Sequence, residues 1–329
     1  MKGRVLITGA SGFVGYHLVK EALELGLEVS AGIRPASNIS HLKDLPVDFI
    51  HLNFEDIYGL CAILRKKNFD YVIHGAGLTK ARTLEEYTRV NSDYTLNLAC
   101  AVIESGIWLK RFVFISSLAA LGPVYEGGSI TEKTQPAPVT AYGKSKLRAE
   151  EYLRNFSSLP LTIIRPTAVY GPREKDIFIM IRTIARGLEL YLGRDKQDLS
   201  FIYVKDLAAA ALKALEREDP GHAVYNIADG IKYDKYALAN TIKSILKKKT
   251  FRFHLPLSWV RIITSALESA YRYSKNPPTL NKEKLNELCA PSWSCNIDLL
   301  KSELKFSPQY DLQKGLEESL KWYKENKWL

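Results

Sequence analysis

Residues 5–19 read VLITGASGFVGYHLV. A short apolar run enters a turn holding Gly9, Gly12 and Gly15, and an amphipathic run leaves it. This is the order that a strand–turn–helix unit needs to grip a pyrophosphate. Gly9 permits a tight exit from the strand, Gly12 lets backbone amides approach phosphate oxygens with no Cβ in the way, and Gly15 allows the helix to lie close on the sheet. The helix N-terminus adds unpaired amides and the positive end of its dipole. Ser11, Gly12, Phe13, Val14 and Gly15 are therefore the expected phosphate contacts, with Gly9 shaping the turn. A glycine motif alone is a weak signal. Here it has the required strand before it and helix after it.

Outward from that turn the chain repeats the same alternation. Strands are expected at 4–8, 27–34, 47–53, 70–75, 111–116 and 161–165. Helices are expected at 13–26, 56–68, about 84–105 and about 141–156. Strands alternating with helices imply βαβ units and a parallel sheet buried on both faces. The fold class is thus α/β, a doubly wound parallel sheet of Rossmann type with a smaller C-terminal subdomain. Past Pro172 the pattern loosens into a helix at about 176–187, another from Lys205, a strand at 223–228 and Pro-punctuated helices. We expect residues 1–171 to form the dinucleotide-binding domain, with 201–228 returning to it. Residues 172–200 and 229–329 are expected to form the cap that binds substrate.

The 329 residues are 46% hydrophobic and 25% charged, ordinary for a globular protein. Cys61, Cys100, Cys289 and Cys295 are scattered without metal-ligand spacing, and we read them as reduced thiols. No apolar run approaches membrane-spanning length and no signal-peptide pattern opens the chain, so a cytoplasmic location is expected. The net charge of +10 comes without a nucleic-acid-binding motif, so no nucleic-acid partner is expected. The stretch 257–276 is basic and amphipathic. It has the character of a membrane-surface helix, but a helix covering a core is the preferred reading.

The end of the second strand chooses between nicotinamide cofactors. An acidic residue there binds the ribose 2′-hydroxyl, and a basic one accommodates a 2′-phosphate. The sequence offers Arg34, with Ser37 and Asn38 after it and no acid. NADP(H) is therefore expected over NAD(H).

The segment AYGKSK (141–146) places Tyr142 and Lys146 four residues apart, on one helical face. With the glycine turn and the landmarks between them, these residues resemble the extended short-chain dehydrogenase/reductases. That superfamily includes nucleotide-sugar epimerases and dehydratases, dihydroflavonol reductases and 3β-hydroxysteroid dehydrogenases. YVIHGAG (71–77) is similar to the family's fourth-strand motif, which implies that Gly75, Ala76 and Gly77 line the cofactor. VNSDYTLNLACA (90–101) resembles its helix, with Asn91 and Asn97 at the amide positions. RFVFISSLAALG (111–122) resembles the fifth strand with its serine pair, and IRPTAVYGP (164–172) the segment passing the nicotinamide, which brings in Pro166, Thr167 and Val169. The resemblance implies that Ser117, Tyr142 and Lys146 are catalytic. A phenol has a pKa near 10, and the Lys146 ammonium is expected to favour phenolate. Tyr142 would then exchange a proton with an alcohol or carbonyl while hydride moves to or from nicotinamide. Lys146 should also hold the ribose and Ser117 the reacting oxygen.

Three departures stand out. Asn53 and Phe54 replace an Asp-Leu pair beside the adenine, and Tyr94 replaces a common glycine. Leu199 or Ser200 lies where many sugar-nucleotide epimerases keep an arginine for the diphosphate, with Arg173, Arg182 or Arg186 as substitutes. Three functions follow. The first is an oxidoreductase for a secondary alcohol or ketone of ring-bearing, apolar type. The second is a nucleotide-sugar epimerase or dehydratase with transient cofactor reduction. The third is a non-catalytic NADP-binding sensor. The first is preferred. A dehydratase would want an acidic pair beside the serine, and Ser117 is flanked by Ser116 and Leu118. The six histidines form no triad or metal spacing; His74, beside the cofactor strand, is the one nearest the site. The partners expected are a small-molecule substrate and a second copy, through the helices at 84–105 and 141–156.

Overall fold

The structure, a computed structural model, describes residues 2–125, 128–270 and 282–329. The N-terminal half runs β1 Arg4–Thr8, α1 Phe13–Glu24, β2 Glu28–Ile33, β3 Asp48–His51, α2 Ile57–Lys67 and β4 Tyr71–His74. It continues through α3 Leu84–Tyr87, a π-helical turn Thr88–Asp93, α4 Tyr94–Ser105, β5 Arg111–Ile115, α5 Ala141–Arg154 and β6 Leu161–Pro166. The expected long helix at 84–105 is therefore not continuous. The wider turn at 88–93 lets the Asn91 amide bond both backbone groups of Leu78 rather than continue a regular stripe. Such π-helical insertions gather at functional sites.

Seven strands form one parallel sheet in the order β11-β6-β5-β4-β1-β2-β3, in which β11 is Ala223–Ile227. The chain winds one way from β1 through β2 to β3 and the other way from β4 onward, so the topological switch falls between β1 and β4. Ligands of open α/β sheets bind at that place, outside the C-terminal strand ends. Both faces are covered. Val5, Ile7, Val113 and Ile115 point to the α1 side, and Leu6, Phe112 and Phe114 to the α2–α4–α5 side, all buried.

After β6 come β7 Ala168–Tyr170, α6 Asp176–Ala185, β8 Leu188–Leu192, β9 Asp198–Leu199, β10 Phe201–Tyr203 and α7 Val204–Lys213. β12 Tyr233–Asp234, α8 Ala237–Leu246, β13 Phe251–Leu255, α9 Leu257–Ala270, α10 Lys282–Cys289, α11 Asp298–Glu303 and α12 Leu312–Glu325 follow β11. A third core of Tyr170, Phe178, Ile181, Tyr203, Leu316 and Tyr323 joins α6, α8 and α12. The stretch read as 257–276 is described to Ala270; the rest of it lies outside the described residues. In the described part Val260 and Thr264 face inward, as a core-covering helix requires, while Trp259, Ile262 and Ile263 form a second apolar stripe that is exposed.

Candidate active site

The glycine turn is built as its sequence required. Gly9 has φ +69, and a Cβ there would lie 2.7 Å from the Gly75 carbonyl oxygen and 2.8 Å from Ala76 Cα. A Cβ at Gly15 would lie 2.0 Å from the Gly9 carbonyl oxygen, so α1 rests directly on the turn. Gly12 differs from both. It is exposed, and within 4 Å its added Cβ would meet only the Gly9 carbonyl oxygen, at 3.2 Å. Packing within the protein constrains Gly12 less than Gly9 or Gly15, which leaves its outer side open. No side chain caps α1, whose first turn is Phe13, Val14, Gly15 and Tyr16. Ser11 lies in the same turn. The open cradle and uncapped helix end fit a pyrophosphate.

The same edge of the sheet carries the other residues. Gly75, Ala76 and Gly77 leave β4 beside the turn. A Cβ at Gly77 would sit 3.0 Å from Asn91 Oδ1 and 3.4 Å from Lys146 Nζ. Lys146 is 4% exposed; it donates to the Ile115 carbonyl oxygen at 2.9 Å and lies 4.8 Å over the Phe114 ring. Asn91 Nδ2 donates to Ser145 Oγ at 2.9 Å, locking the π turn to α5. Pro166 ends β6, Thr167 donates from Oγ1 to the Ser200 carbonyl oxygen at 2.8 Å, and Val169 lies in β7.

Gly143 decides how the start of α5 meets Ser117. Thr140 caps α5, its Oγ1 accepting from the Gly143 amide at 3.0 Å. A Cβ on Gly143 would fall 2.3 Å from the Ala119 carbonyl oxygen. The first turn of α5 therefore touches the short helical turn Leu118–Ala120 that Ser117 caps, and the Ser117 hydroxyl comes to the Tyr142 phenol. The Ala141 amide donates to Glu283 of α10 at 2.8 Å, and Tyr87 covers the phenol ring with centroids 6.1 Å apart.

Electrostatics depart from the expected arrangement. Burial pushes the Tyr142 phenol up to about 12, against a lowering contribution from Ser117. Burial also brings Lys146 down to about 8, opposed by Glu150. Lys146 Nζ lies between the Ile115 carbonyl oxygen and the place a Gly77 Cβ would take. In this form of the site Tyr142 is a proton donor at neutral pH.

Other residues resolve differently from expectation. Ser116 donates to Glu150 Oε1 at 2.6 Å, and Glu150 also holds the buried Arg165 through Nε at 2.9 Å and Nη2 at 2.5 Å. Ser116 is thus a structural hydroxyl. Glu150 was missed by the sequence reading, although it continues the Tyr142–Lys146 spacing by four more residues. His74 is a buried scaffold residue. Its Nδ1 lies 2.7 Å from Thr8 Oγ1 and its Nε2 2.9 Å from Thr95 Oγ1, and burial lowers it to about 3. Arg173 stacks on Tyr16 at 4.8 Å beside the glycine turn. Arg34 is exposed at the end of β2, with its amide donating to Ser37 Oγ at 3.0 Å. Asn53 turns its Oδ1 to the Glu55 amide at 3.1 Å, while Phe54 stacks on Tyr94 with centroids 5.7 Å apart, so these two departures from the family pattern pair with each other.

Residues 5–228 match the model of the NAD dependent epimerase/dehydratase family. The chain belongs to that family. It is an enzyme of the extended short-chain dehydrogenase/reductase group, whose members here are epimerases, dehydratases and reductases. It is 28% identical to the UDP-glucose 4-epimerase of Vibrio cholerae, over 97% of this chain and 95% of that protein. It is 27% identical to the ceramide reductase of Caulobacter vibrioides, over 100% and 96%. The solved structure of MoeE5 in complex with UDP-glucuronic acid and NAD matches with a TM-score of 0.78 and 25% identity, covering 98% of this chain and all of that one. These comparisons favour the epimerase/dehydratase alternative over the preferred oxidoreductase reading. They also give no support to NADP(H): the family is NAD dependent, and MoeE5 was solved with NAD.

Two outcomes follow. Gly143→Ala must move α5 off the Ala119 carbonyl by about 1 Å, a displacement that costs on the order of 100-fold in kcat/KM; steady-state kinetics of the variant check it. Lys146→Met removes a buried amine whose charged form is disfavoured in the folded state. That penalty is complete below pH 8 and is relieved as pH rises from about 8 toward 10.5. Thermal melts should therefore show the stability gap between variant and wild type shifting in favour of wild type over that window, by at most about 1.4 kcal/mol per pH unit.

Proposed function

We propose that the protein moves hydride reversibly between a nicotinamide dinucleotide and a secondary alcohol carbon of its substrate, and that the net reaction is inversion at a sugar carbon. The observation that carries this is the approach of the Ser117 hydroxyl to the Tyr142 phenol, with Lys146 one helical turn further on, at the strand ends beside an open glycine cradle. A bound NAD supplies the hydride acceptor and, after oxidation of the carbinol, the donor. The turn at Ser11–Gly15 holds the pyrophosphate, Lys146 and Asn91 with Gly77 define the ribose side, and Pro166, Thr167 and Val169 border the nicotinamide. Ser117 bonds the reacting oxygen. Tyr142 takes its proton and returns it; a positive charge on a bound nicotinamide would lower the phenol from about 12 and so ease the first of these transfers.

Inversion needs nothing more than removal of hydride, rotation of the keto sugar and return to the other face. Loss of water needs a further acid or base near Ser117. Its neighbours are Ser116, committed to Glu150, and the buried Leu118, so epimerisation is favoured over dehydration.

One observation favours a second reading, net reduction of a ketone on an apolar substrate. Ser200, standing where the diphosphate arginine is expected, is 2% exposed, donating to the Ile231 carbonyl oxygen and accepting from the Cys295 amide. Ser200 itself offers a diphosphate no charge. The similarity to a ceramide reductase over the whole chain supports the same reading.

Incubation with UDP-sugars and NAD, followed by NMR of the sugar and by nicotinamide absorbance, separates the two. Inversion without net absorbance change is expected. Stoichiometric consumption of NADH or NADPH with ketone substrates, and no inversion, would overturn the proposal in favour of reduction. Tyr142→Phe should lower turnover by about 10²–10⁴-fold with dinucleotide binding retained; full activity in that variant removes Tyr142 from the chemistry.

A further inference from the structure

Strands β8 and β13 form a parallel pair outside the main sheet, with Phe251 opposite Leu188, Arg252 opposite Glu189 and Phe253 opposite Leu190. One face of the pair is tied to the protein. Glu189 is 2% exposed and is clasped by Lys243 of α8 at 2.6 Å and by Arg252 Nε at 2.8 Å; Tyr191 packs edge-on against Tyr236. A strand slipped by one residue would expel that buried carboxylate, so the register is fixed. Alternation then commits the other face to solvent, and it carries Leu188, Leu190, Phe251, Phe253 and Leu255, with Phe251 at 62% and Leu190 at 55% exposed. The adjoining α9 turns Trp259, Ile262 and Ile263 outward, at 68%, 70% and 52%. Their spacing of three and four residues is that of an apolar helix stripe, and here the stripe has solvent on it.

Charge surrounds this face. Segments 186–196 and 243–266 carry nine basic residues and two acidic ones, a net of +7, against +10 for the entire chain. Glu189 is spent on Lys243 and Arg252. Arg186, Arg194, Lys247, Lys248, Lys249 and Arg261 remain exposed. We infer that this face docks on an anionic lipid bilayer, with the phenylalanines, isoleucines and Trp259 entering the headgroup boundary and the lysines and arginines meeting lipid phosphates. A large apolar surface, an interfacial tryptophan and a cationic rim are what peripheral membrane binding requires. A second copy of the chain suits the face poorly, because an isologous contact would set like charges against each other. The face is next to the site: α9 packs on α10, whose Glu283 bonds the Ala141 amide beside Tyr142. This inference does not depend on which reaction the site performs.

Co-sedimentation of the intact protein with vesicles tests it, using phosphatidylcholine alone and phosphatidylcholine mixed with phosphatidylglycerol. The wild type should pellet with the anionic vesicles and far less with the neutral ones, and added salt should weaken the binding. A variant carrying Trp259→Ser, Ile262→Ser and Ile263→Ser should bind at least about tenfold more weakly. One carrying Lys247→Gln, Lys248→Gln and Lys249→Gln should lose most of the salt dependence. Unchanged melting and dinucleotide binding in both variants show that the fold is kept. The inference is overturned if the wild type stays in the supernatant with both vesicle types, or if the serine variant sediments like the wild type. It is also overturned if the serine substitutions instead split a wild-type dimer that ignores vesicles.

Discussion

The contact on which the site depends is the seating of α1 on the carbonyl of Gly9. With Gly15 lacking a side chain, the helix comes down onto the end of β1 and points its uncapped N-terminus across the switch between β1 and β4. Gly9 in turn lies against Gly75 and Ala76 at the end of β4. Three backbone segments thus meet with no side chain between them, and everything the site needs is measured from that junction.

A directional hydrogen-bond chain fixes the junction to α5. Thr95 Oγ1 donates to the Asn91 carbonyl oxygen, so it can only accept from His74 Nε2. His74 is therefore protonated at Nε2 and accepts at Nδ1 from the Thr8 hydroxyl, whose oxygen accepts from the Ala76 amide. Each donor in the series leaves one choice for the next. Burial keeps the imidazole neutral, which preserves that order. Asn91 then reaches Ser145 and Leu78, and Ser145 neighbours Lys146. The Glu150–Arg165 pair lies deeper. Removing either partner would strand a buried charge, the costly way of breaking such a pair.

Most of the fold was legible because its signals are local. Short continuous apolar runs marked the buried strands, glycines marked the turn, and apart from the broken helix at 84–105 the N-terminal helix boundaries fell within a few residues of those observed. Tyr142, Lys146 and Ser117 were singled out by their spacing and their family pattern, and the fold does bring the Ser117 hydroxyl to the Tyr142 phenol. Legibility ended where the answer lay in three dimensions. The π turn at 88–93 follows from an amide finding the Leu78 backbone, which no local periodicity announces. The fate of Ser116 depended on Glu150, thirty-four residues away. Arg34 carried the cofactor choice on charge alone, and an exposed guanidinium at a strand end is a weak basis for it. The amphipathic character of α9 was read correctly but its second, exposed stripe was not, since periodicity says that a face exists and not what lies against it.

Tyr142, Lys146 and Glu150 stand at intervals of four along α5, so the proposed substrate-side phenol, the proposed cofactor-side amine and a core carboxylate follow one another down a single edge. Lys144, Arg148 and Glu151 on its outer side face solvent. Inserting or deleting one residue between the first two would rotate one group relative to the other by roughly 100°. In the first two turns of α5, therefore, the sequence can drift in composition on its outer side but not in length.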